Sequence, residues 1–359
     1  MKTFSKTFAL VSNESCRYIK ALFFIIGFIF LPNPLLPKLP YAKTYSKFIK
    51  EEAHKKKSYV WVEKGTIPFK EIILSWNAQI PKNVNLIFSI SCLVKGEWTG
   101  WKRIFVWGKN TRLTYSRLKS PRLHTKHVRA EVPGKFVATG FRIHVRSSSP
   151  NHDLKDLDAL FCCISHEGRF KREKPNFDFP TTRIDGLQAQ SQMLLNHDRT
   201  PDLCAPTSLS VAIQYLNGFR ANGTCNKNLS LETQSLSELC HDQSLDIYGS
   251  WPLNIAAAYT RLKPGIHMKV ERLNGFEEIY KQLEQKQPVV VSIRGPIKGG
   301  ALPYKNGHFV VVAGWNQKHK RVLCVDPAFK PNSRTKTSYL IDDFLRAWER
   351  SRRLSYVSM

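Results

Sequence analysis

The chain has 359 residues, enough for two domains with a core each, and its 42% hydrophobic and 23% charged residues exclude a globally disordered protein. Its formal net charge is +27; residues 1–150 carry 27 basic and 7 acidic residues, whereas the remainder carries 28 and 21. The N-terminal part is therefore expected to attract an anionic partner, an envelope polymer or a membrane surface. A compositional bias explains the charge equally well, and no specific nucleic-acid-binding motif accompanies it.

The cysteines bear on metal sites and on the redox compartment. No Cys-x-x-Cys pair occurs, which argues against a structural zinc site, and Gly299-Gly300 lacks the Lys-Ser/Thr of a phosphate-binding loop, so we predict no metal or cofactor. Cys225 and Cys240 flank a predicted loop and would suit a disulfide in an exported chain. The cysteines are Cys16, Cys92, Cys162, Cys163, Cys204, Cys225, Cys240 and Cys324.

The N-terminus has the pattern of a secretory signal. Four basic residues precede position 21, and Ala21–Leu31 is an uninterrupted apolar run, shorter than the roughly 20 residues that span a bilayer. Residues 1–42 are predicted to be a signal peptide, with Ala42 the nearest candidate for cleavage, or a membrane anchor through residues 21–36. Both interpretations predict export to the periplasm, the cell envelope or the medium; a buried core helix is the weaker alternative.

Residues 43–64 are charged and unpatterned, with Lys55–Lys57 at their centre, and are predicted to be a basic linker. Residues 65–165 are predicted to form an antiparallel β-sandwich, since β-rich segments alternate there with Gly, Pro and Asn. These segments are Glu71–Asn77, Val84–Val94, Trp101–Trp107, Phe136–Arg146 and Asp158–Ser165.

Four tryptophans lie in or beside these segments: Trp76, Trp98, Trp101 and Trp107. Exposed indoles would suit a carbohydrate-binding platform. Core packing is the commoner position of tryptophans in strands, and we predict it for all four.

Residues 166–183 contain Gly168 and two prolines, Pro175 and Pro180, and are predicted to link two domains. In residues 184–359 the patterns predict helices first and a sheet afterwards, which gives an α+β protein. The helices are predicted over Cys204–Leu216, Leu229–Cys240, Tyr248–Tyr259, Phe276–Lys286 and Ile341–Arg350, and the strands over His267–Leu273, Pro288–Ile293, Gly307–Trp315, Val322–Asp326 and Leu354–Val357.

The first of these helices places a cysteine at its N-terminus. Pro206 suits the first turn, apolar residues recur at helical spacing up to Leu216, and Gly218 follows as a stop. A sulfur at Cys204 would face unpaired backbone N–H groups and the positive end of the helix dipole, which favour thiolate over thiol. Cys204 is therefore a candidate nucleophile, although a lone cysteine is more often a small buried apolar residue.

A histidine and an aspartate are predicted to meet on a hairpin. If the turn between the strands Gly307–Trp315 and Val322–Asp326 centres on Gln317, His308 lies directly opposite Asp326. Opposed side chains have Cβ atoms roughly 4.5–5.5 Å apart, close enough for an imidazole to carboxylate hydrogen bond. The pair would supply a general base and the carboxylate that orients it, unless the register slips.

Three glutamines precede the cysteine, at positions 188, 190 and 192. A side-chain amide beside the thiolate could stabilise an oxyanion. The residues alone leave open which of Gln188, Gln190 and Gln192 does so, and each is also an ordinary polar loop residue.

Five motifs carry a resemblance to a known family: Ser191–Met193, Cys204–Ser208, Tyr248–Pro252, Gly307–His308 and Val325–Ala328. Together they resemble the bacteriocin-processing, double-glycine-type cysteine peptidases of the papain-like superfamily, and most closely the stand-alone branch without a transporter. The resemblance covers residues 184–359 and implies a papain-like peptidase domain there, preceded by the β-sandwich.

The same resemblance assigns roles to four residues. It implies that Cys204 is the nucleophile, His308 the general base, Asp326 the residue that orients the histidine, and Gln192 the oxyanion-hole donor. The leading hypothesis is an exported cysteine peptidase that acts on peptide or protein substrates without a cofactor.

Two alternatives stay open at this point. Ala205 stands where many members of the family have glycine, and its methyl group could crowd the backbone, which would suit a catalytically inactive binding protein with a peptidase fold. The same triad could also serve a transglutaminase or deamidase, because the sequence does not separate water from amine as the acyl acceptor.

Overall fold

The structure is a computed structural model that describes residues 38–220 and 227–359. Residues 39–359 form one compact unit. The apolar run Ala21–Leu31 and Cys225, one half of the suggested disulfide, lie outside the described residues. In the part of the chain that the structure describes, no helix is both long and apolar enough to cross a bilayer.

Residues 42–165 form two antiparallel sheets. The strands are β1 (Ala42–Phe48), β2 (Ser58–Phe69), β3 (Glu71–Ala78), β4 (Asn85–Val94), β5 (Glu97–Trp98), β6 (Lys102–Gly108), β7 (Arg112–Thr114), β8 (His124–Lys126), β9 (Arg129–Glu131), β10 (Ala138–Ser147) and β11 (Leu157–Ser165), with the short helix α1 (Glu51–His54) after β1. The first sheet has the order β1-β11-β3-β9-β8; the second has the order β2-β10-β4-β6-β7, with β5 paired to β4.

Aromatic side chains of the two sheets pack against each other. The Trp76 ring on β3 stacks on Phe88 of β4 at 4.2 Å and lies 6.4 Å from the ring of Trp107 on β6. Both tryptophans are fully buried, as predicted, but Trp98 is half-buried and Trp101 is 40% exposed. The core prediction is therefore wrong for Trp101.

The predicted basic linker 43–64 is also wrong, because most of it forms β1 and β2. Each of these strands is the outer strand of its sheet. Lys43 and Lys64 are exposed and Lys47 is half-buried, while the rings of Tyr45 and Trp61 contact Phe141 at 5.6 and 5.1 Å. Lysines on outer strands commonly prevent edge-to-edge pairing of sheets. In β1 and β2 these charges obscure the alternation of apolar and polar residues that would predict a strand.

Ala42 belongs to the folded unit and not to the N-terminal segment in which the sequence placed it. Its side chain is buried, and it pairs with Ser165 at the start of β1. The Asn274 side chain accepts a hydrogen bond from the Ala42 N–H at 3.0 Å and donates one to its carbonyl at 3.1 Å. Cleavage after Ala42 would remove these contacts.

The C-terminal part combines helices with a third antiparallel sheet. Its elements are β12 (Thr182–Arg183), α2 (Cys204–Leu216), α3 (Lys227–Cys240), α4 (Trp251–Tyr259), β13 (Met268–Arg272), α5 (Phe276–Glu284), β14 (Val289–Ile293), β15 (His308–Asn316), β16 (Arg321–Val325), α6 (Asn332–Thr335), β17 (Lys336–Leu340), α7 (Ile341–Arg350) and β18 (Leu354–Ser358). The sheet order is β13-β18-β14-β15-β16-β17, and β12 pairs with β15. The predicted helices and strands are confirmed to within a few residues; β12, α6 and β17 were not predicted.

Residues 166–183 mostly lack regular structure, yet they pack closely against the C-terminal part. The rings of Phe177 and Phe276 lie 5.1 Å apart, and Phe179 stacks on Tyr280 at 4.4 Å. The Trp315 indole donates a hydrogen bond to the Phe179 carbonyl at 2.9 Å.

The first sheet is held to the C-terminal part by buried polar contacts. The Asn77 side chain on β3 donates to the Met268 carbonyl at 2.8 Å and accepts from its N–H at 3.1 Å. The Ser75 hydroxyl accepts from the Val270 N–H at 3.1 Å. These side chains replace a neighbouring strand for β13, so the N-terminal and C-terminal parts share a buried interface.

A buried ion cluster lies in the same interface. The Glu71 carboxylate bonds the Arg272 guanidinium, and lies 2.9 Å from Arg129 and 3.4 Å from Arg352. Burial alone would raise the pKa of Glu71, but the charges of Arg272 and Arg129 hold it below its usual value. The carboxylate is therefore charged in the folded protein and compensates the buried arginine.

Replacing Glu71 by Ala should lower the free energy of unfolding by about 3–5 kcal/mol, because Arg272 would keep its charge without a partner. The side chains of this pair are only 6% and 3% exposed. Denaturant unfolding of the full chain measures the effect. Glu97→Ala is the control: its pair with Arg122 is 71% and 40% exposed and should contribute less than about 1 kcal/mol. Equal losses in the two variants would contradict the role of the cluster.

Candidate active site

A solvent-open cleft of about 440 Å³ lies between the start of α2 and the start of β15. Cys204, His308 and Gln192 line it, together with the loops 247–249 and 302–307. The structure thus brings three distant segments predicted from the sequence into one cavity, and Asp326 lies directly behind His308.

Cys204 is the first residue of α2, as predicted. The turn before it is fixed by Thr207, whose hydroxyl and backbone N–H both donate to the Leu203 carbonyl, at 2.7 and 3.0 Å. One turn further on, the Ser208 hydroxyl donates to the carbonyl of Phe309 at 3.0 Å. This bond joins α2 to β15 next to His308.

The exposure of Cys204 distinguishes it from the other cysteines that the structure describes. It is half-buried, whereas the remaining five described cysteines are buried. They are Cys92, Cys162, Cys163, Cys240 and Cys324. A reagent in solvent reaches the Cys204 sulfur through the cleft.

His308 begins β15 and contacts both predicted partners. Its Nε2 atom lies 2.7 Å from Oδ1 of Asp326, and the Cys204 thiol is a further hydrogen-bonding neighbour of the ring. Since Nε2 is bonded to the carboxylate, Nδ1 is the ring nitrogen left for the sulfur. A nucleophile, a base and an orienting carboxylate in this sequence of contacts can perform acyl transfer.

The strand register that led to this pair was wrong, although the contact exists. Val311 pairs with Val325, and beyond an irregularity Gly314 pairs with Leu323, so the strands are shifted from the predicted pairing. His308 is paired with Ile293 on β14 instead. Asp326 follows the end of β16 and reaches the imidazole diagonally, within the range of cross-strand neighbours that are not directly opposed.

The His308–Asp326 pair is buried and charged. Burial alone would lower the pKa of His308, but the charge and hydrogen bond of Asp326, together with Cys204, raise it to about 10. Burial would likewise raise the pKa of Asp326, which the His308 charge and the surrounding hydrogen bonds lower instead. At neutral pH the site therefore contains an imidazolium next to the sulfur.

Two tyrosines that the sequence did not single out complete the surroundings of Asp326. The hydroxyls of Tyr304 and Tyr339 donate to Oδ2 at 2.7 and 2.5 Å, while the Ala328 N–H donates to Oδ1 at 2.9 Å. Tyr339 lies on β17, which was not predicted as a strand, although Thr337–Leu340 is rich in residues that favour strands. Tyr304 lies in a loop, where the sequence offers no periodic signal.

Gln192 is the glutamine that the structure places in the cleft. Its side-chain NH₂ donates to the carbonyls of Thr200 and Pro201, both at 2.9 Å, and its buried Oε1 has no hydrogen-bond partner among the described residues. In this conformation both amide protons are used to hold the turn before Cys204. Gln188 and Gln190 are buried and do not line the cleft.

Ala205 does not crowd the site. It is fully buried, belongs to the hydrophobic core and is not among the residues that line the cleft. The Ala205 methyl group is therefore part of the core and not of the cleft wall.

The wall of the cleft formed by residues 247–249 is held by the N-terminal sheets. Asp242 accepts hydrogen bonds from Thr114, at the end of β7, and from the Ser244 hydroxyl at 2.7 Å. Arg199 lies over the Tyr248 ring at 5.0 Å and pairs with Asp246 at 2.6 Å. The second sheet thus fixes one end of the loop that borders the cleft.

Comparison with known protein families tests the family resemblance of the segments around Cys204, His308 and Asp326. Residues 184–356 match the Peptidase_C39 like family. This part of the chain belongs to the C39-type family of papain-like cysteine peptidases. A solved structure described as a candidate C39-like peptidase from Bacillus anthracis is 16% identical; the match covers 50% of this chain and 98% of that one, with a TM-score of 0.36. A search of curated proteins gave no match.

The family membership confirms the resemblance drawn from the sequence and supports a cysteine peptidase-type function. Within residues 38–220 and 227–359, no three His, Cys, Asp or Glu side chains lie close enough together to hold a metal ion.

Replacing Asp326 by Asn should lower the pKa of His308 from about 10, because the buried imidazole would lose the charge that contributes most to offsetting burial. In the wild type the stabilising charge on His308 is fully present below pH 6.5 and is lost as the pH rises through about 10. Iodoacetamide labelling of Cys204 as a function of pH measures this, and the variant should label at least about tenfold more slowly at neutral pH.

Asp343→Asn is the control, since this carboxylate on α7 pairs with Arg346 and not with the site. The explanation fails if Asp326→Asn and Asp343→Asn give the same labelling profile as the wild type.

Proposed function

We propose that this protein is an exported cysteine peptidase that hydrolyses peptide bonds with Cys204 as nucleophile, His308 as general base and Asp326 as the orienting residue. The observation that supports it best is the 2.7 Å bond between His308 and the buried Asp326, with the Cys204 thiol on the other side of the ring in an open cleft. The C39-type family assignment supports the same class of chemistry.

In the proposed reaction the Cys204 sulfur attacks the scissile carbonyl and forms a tetrahedral oxyanion. His308 then gives its proton to the departing amine, which leaves a thioester on Cys204. A water molecule attacks the thioester, His308 takes up a proton from the water, and the carboxyl product leaves. General acid–base transfer of this kind contributes about 10²–10⁴-fold to the rate.

The oxyanion requires hydrogen-bond donors near the sulfur. We propose the backbone N–H of Cys204, at the N-terminus of α2, and the Gln192 amide. Because both protons of that amide bond the carbonyls of Thr200 and Pro201, one of these bonds has to exchange for the oxyanion when substrate binds.

The proposal includes an arrangement of domains and a location. The two N-terminal sheets would form a β-sandwich that precedes a papain-like domain, an arrangement supported by the contacts of Trp76 with the second sheet. Export is supported by the sequence of residues 1–31, with basic residues followed by the apolar run Ala21–Leu31.

Cys204→Ala should abolish cleavage of a peptide library by the full chain, because the variant lacks the sulfur that forms the thioester. Mass spectrometry of the products should show new carboxyl termini in the wild type only. Products that carry an added amine would identify an acyl transferase instead of a peptidase. A matching thermal melt for both proteins is the control for folding, and equal cleavage by the variant would exclude Cys204 as the nucleophile.

We further propose that the outer face of the second sheet binds an acidic polymer of the cell envelope. Residues 39–165 carry 23 basic and nine acidic residues. On this face the Arg142 guanidinium lies over Trp98 at 4.9 Å and over Trp101 at 4.4 Å, and Arg146 follows four residues later on β10. No ion pair among the described residues involves Arg142 or Arg146.

The charge of this face makes it complementary to repeated carboxylates or phosphates, and the partly exposed indoles offer flat surfaces for sugar rings. The outer face of the first sheet is covered by α4 and β13, as the contacts of Asn77 with Met268 show, so the second sheet is the one that presents such a face to solvent.

Changing both Arg142 and Arg146 to Gln should weaken binding of the full chain to soluble alginate at least about tenfold, and should lower the slope of log K against log salt by about 1–2. Lys281→Gln, which breaks an exposed pair with Glu277 on α5, is the control. Fluorescence anisotropy at several salt concentrations measures both quantities. Binding to anionic vesicles but not to alginate, or equal binding by the variants, would contradict this proposal.

A further inference from the structure

Tyr304 contacts the catalytic histidine face to face. The centroids of the Tyr304 and His308 rings are 4.2 Å apart and the ring planes are inclined by only 7°. Both side chains are about 95% buried. The phenol ring therefore covers one face of the imidazole and keeps water from it.

The hydroxyl of the same tyrosine reaches the other member of the pair. It donates to Oδ2 of Asp326 at 2.7 Å and accepts from the Ala301 N–H at 3.1 Å. His308 bonds Oδ1 of the same carboxylate. Tyr304, His308 and Asp326 thus form a closed set of contacts in which rotation of the imidazole would break the ring stack and the Nε2 to Oδ1 bond together.

The backbone of Tyr304 is held in an uncommon conformation for this purpose. Its φ angle is +43°, in the left-handed region that bulky residues rarely adopt. Its carbonyl accepts hydrogen bonds from Gly295 and Gly307, at 3.0 and 3.1 Å, which fix the loop on both sides. Backbone strain of this kind is concentrated at functional sites, where the surrounding structure maintains it.

We propose that Tyr304 is a positioning residue for the reaction: its ring keeps the His308 imidazolium in the plane in which one nitrogen meets Asp326 and the other meets Cys204. This inference rests on the proposed function and adds a residue that acts through His308. The neutral phenol suits the role, because burial and the Asp326 charge raise the pKa of Tyr304 above its usual range.

Tyr339 provides a matched comparison within the same site. Its hydroxyl donates to the same Oδ2 of Asp326 at 2.5 Å, and its side chain is fully buried. Among the ring contacts of the described residues, however, Tyr339 has none with His308. The two tyrosines therefore share the hydrogen bond and differ in the stack.

The experiment compares Tyr304→Phe, Tyr304→Leu, Tyr339→Phe and Tyr339→Leu in the full chain. Tyr304→Leu should lower kcat about 10- to 100-fold with little change in KM, and Tyr304→Phe much less, because it keeps the ring. The Leu variant of Tyr339 should lose several-fold less activity than that of Tyr304. Thermal melts report the stability of each variant separately.

A second readout needs no substrate. The groups that face the imidazole are the Asp326 carboxylate, the Cys204 sulfur and the Tyr304 ring. Loss of the aromatic face should move the alkaline limb of Cys204 alkylation down by about half a pH unit in Tyr304→Leu, and not in Tyr339→Leu. If Tyr304→Leu does not fold, Tyr304→Met supplies an apolar side chain without a ring.

The outcomes separate this inference from the proposed function. If the wild type cleaves no peptide while only the Tyr304→Leu profile shifts, the proposed peptidase activity fails and the positioning role stands. If the Leu variants of Tyr304 and Tyr339 lose the same activity and share one alkylation profile, the stack has no part in the reaction and the inference is overturned.

Discussion

The buried carboxylate of Asp326 is the interaction on which the site depends. It accepts four hydrogen bonds, from His308, Ala328, Tyr304 and Tyr339, which fill both of its oxygens. A carboxylate so surrounded stays ionised when buried and holds a protonated imidazole beside it. The donors come from β15, from the loop before it, from β17 and from the turn after β16, so these adjacent segments of the third sheet together stabilise this one charge.

The sequence predicted the chemistry of the site better than its geometry. The position of Pro206 predicted a helix that starts at Cys204. Two adjacent apolar strands predicted that His308 lies near Asp326, and the structure contains both features. The pairing failed because the turn centres between Lys318 and His319 and not on Gln317: Asn316 pairs with Arg321, and the irregularity between Val312 and Gly314 then changes the register again. A local sequence pattern does not reveal either feature. Tyr339 was missed since its role depends on the sheet order, which is a long-range property.

The N-terminal part shows a different limit of sequence analysis. Each central strand has one or two apolar faces, and this pattern predicts a strand. The outer strands β1 and β2 carry lysines instead, so their sequence predicts a linker. The boundary between two domains was inferred from composition. Composition does not reveal how the two parts pack: β3 is buried on both sides and supplies side-chain partners to β13.

That shared interface has a consequence for how the protein is made. Glu71 and Asn77 leave the ribosome 201 and 191 residues before the partners that bury them, Arg272 and Met268. At about 5–20 residues synthesised per second, about 10–40 s pass between the synthesis of these residues and that of their partners. During this interval the side chains of Glu71 and Asn77 lack the contacts that bury them. The first sheet therefore has its buried partners only after Arg272 has been synthesised.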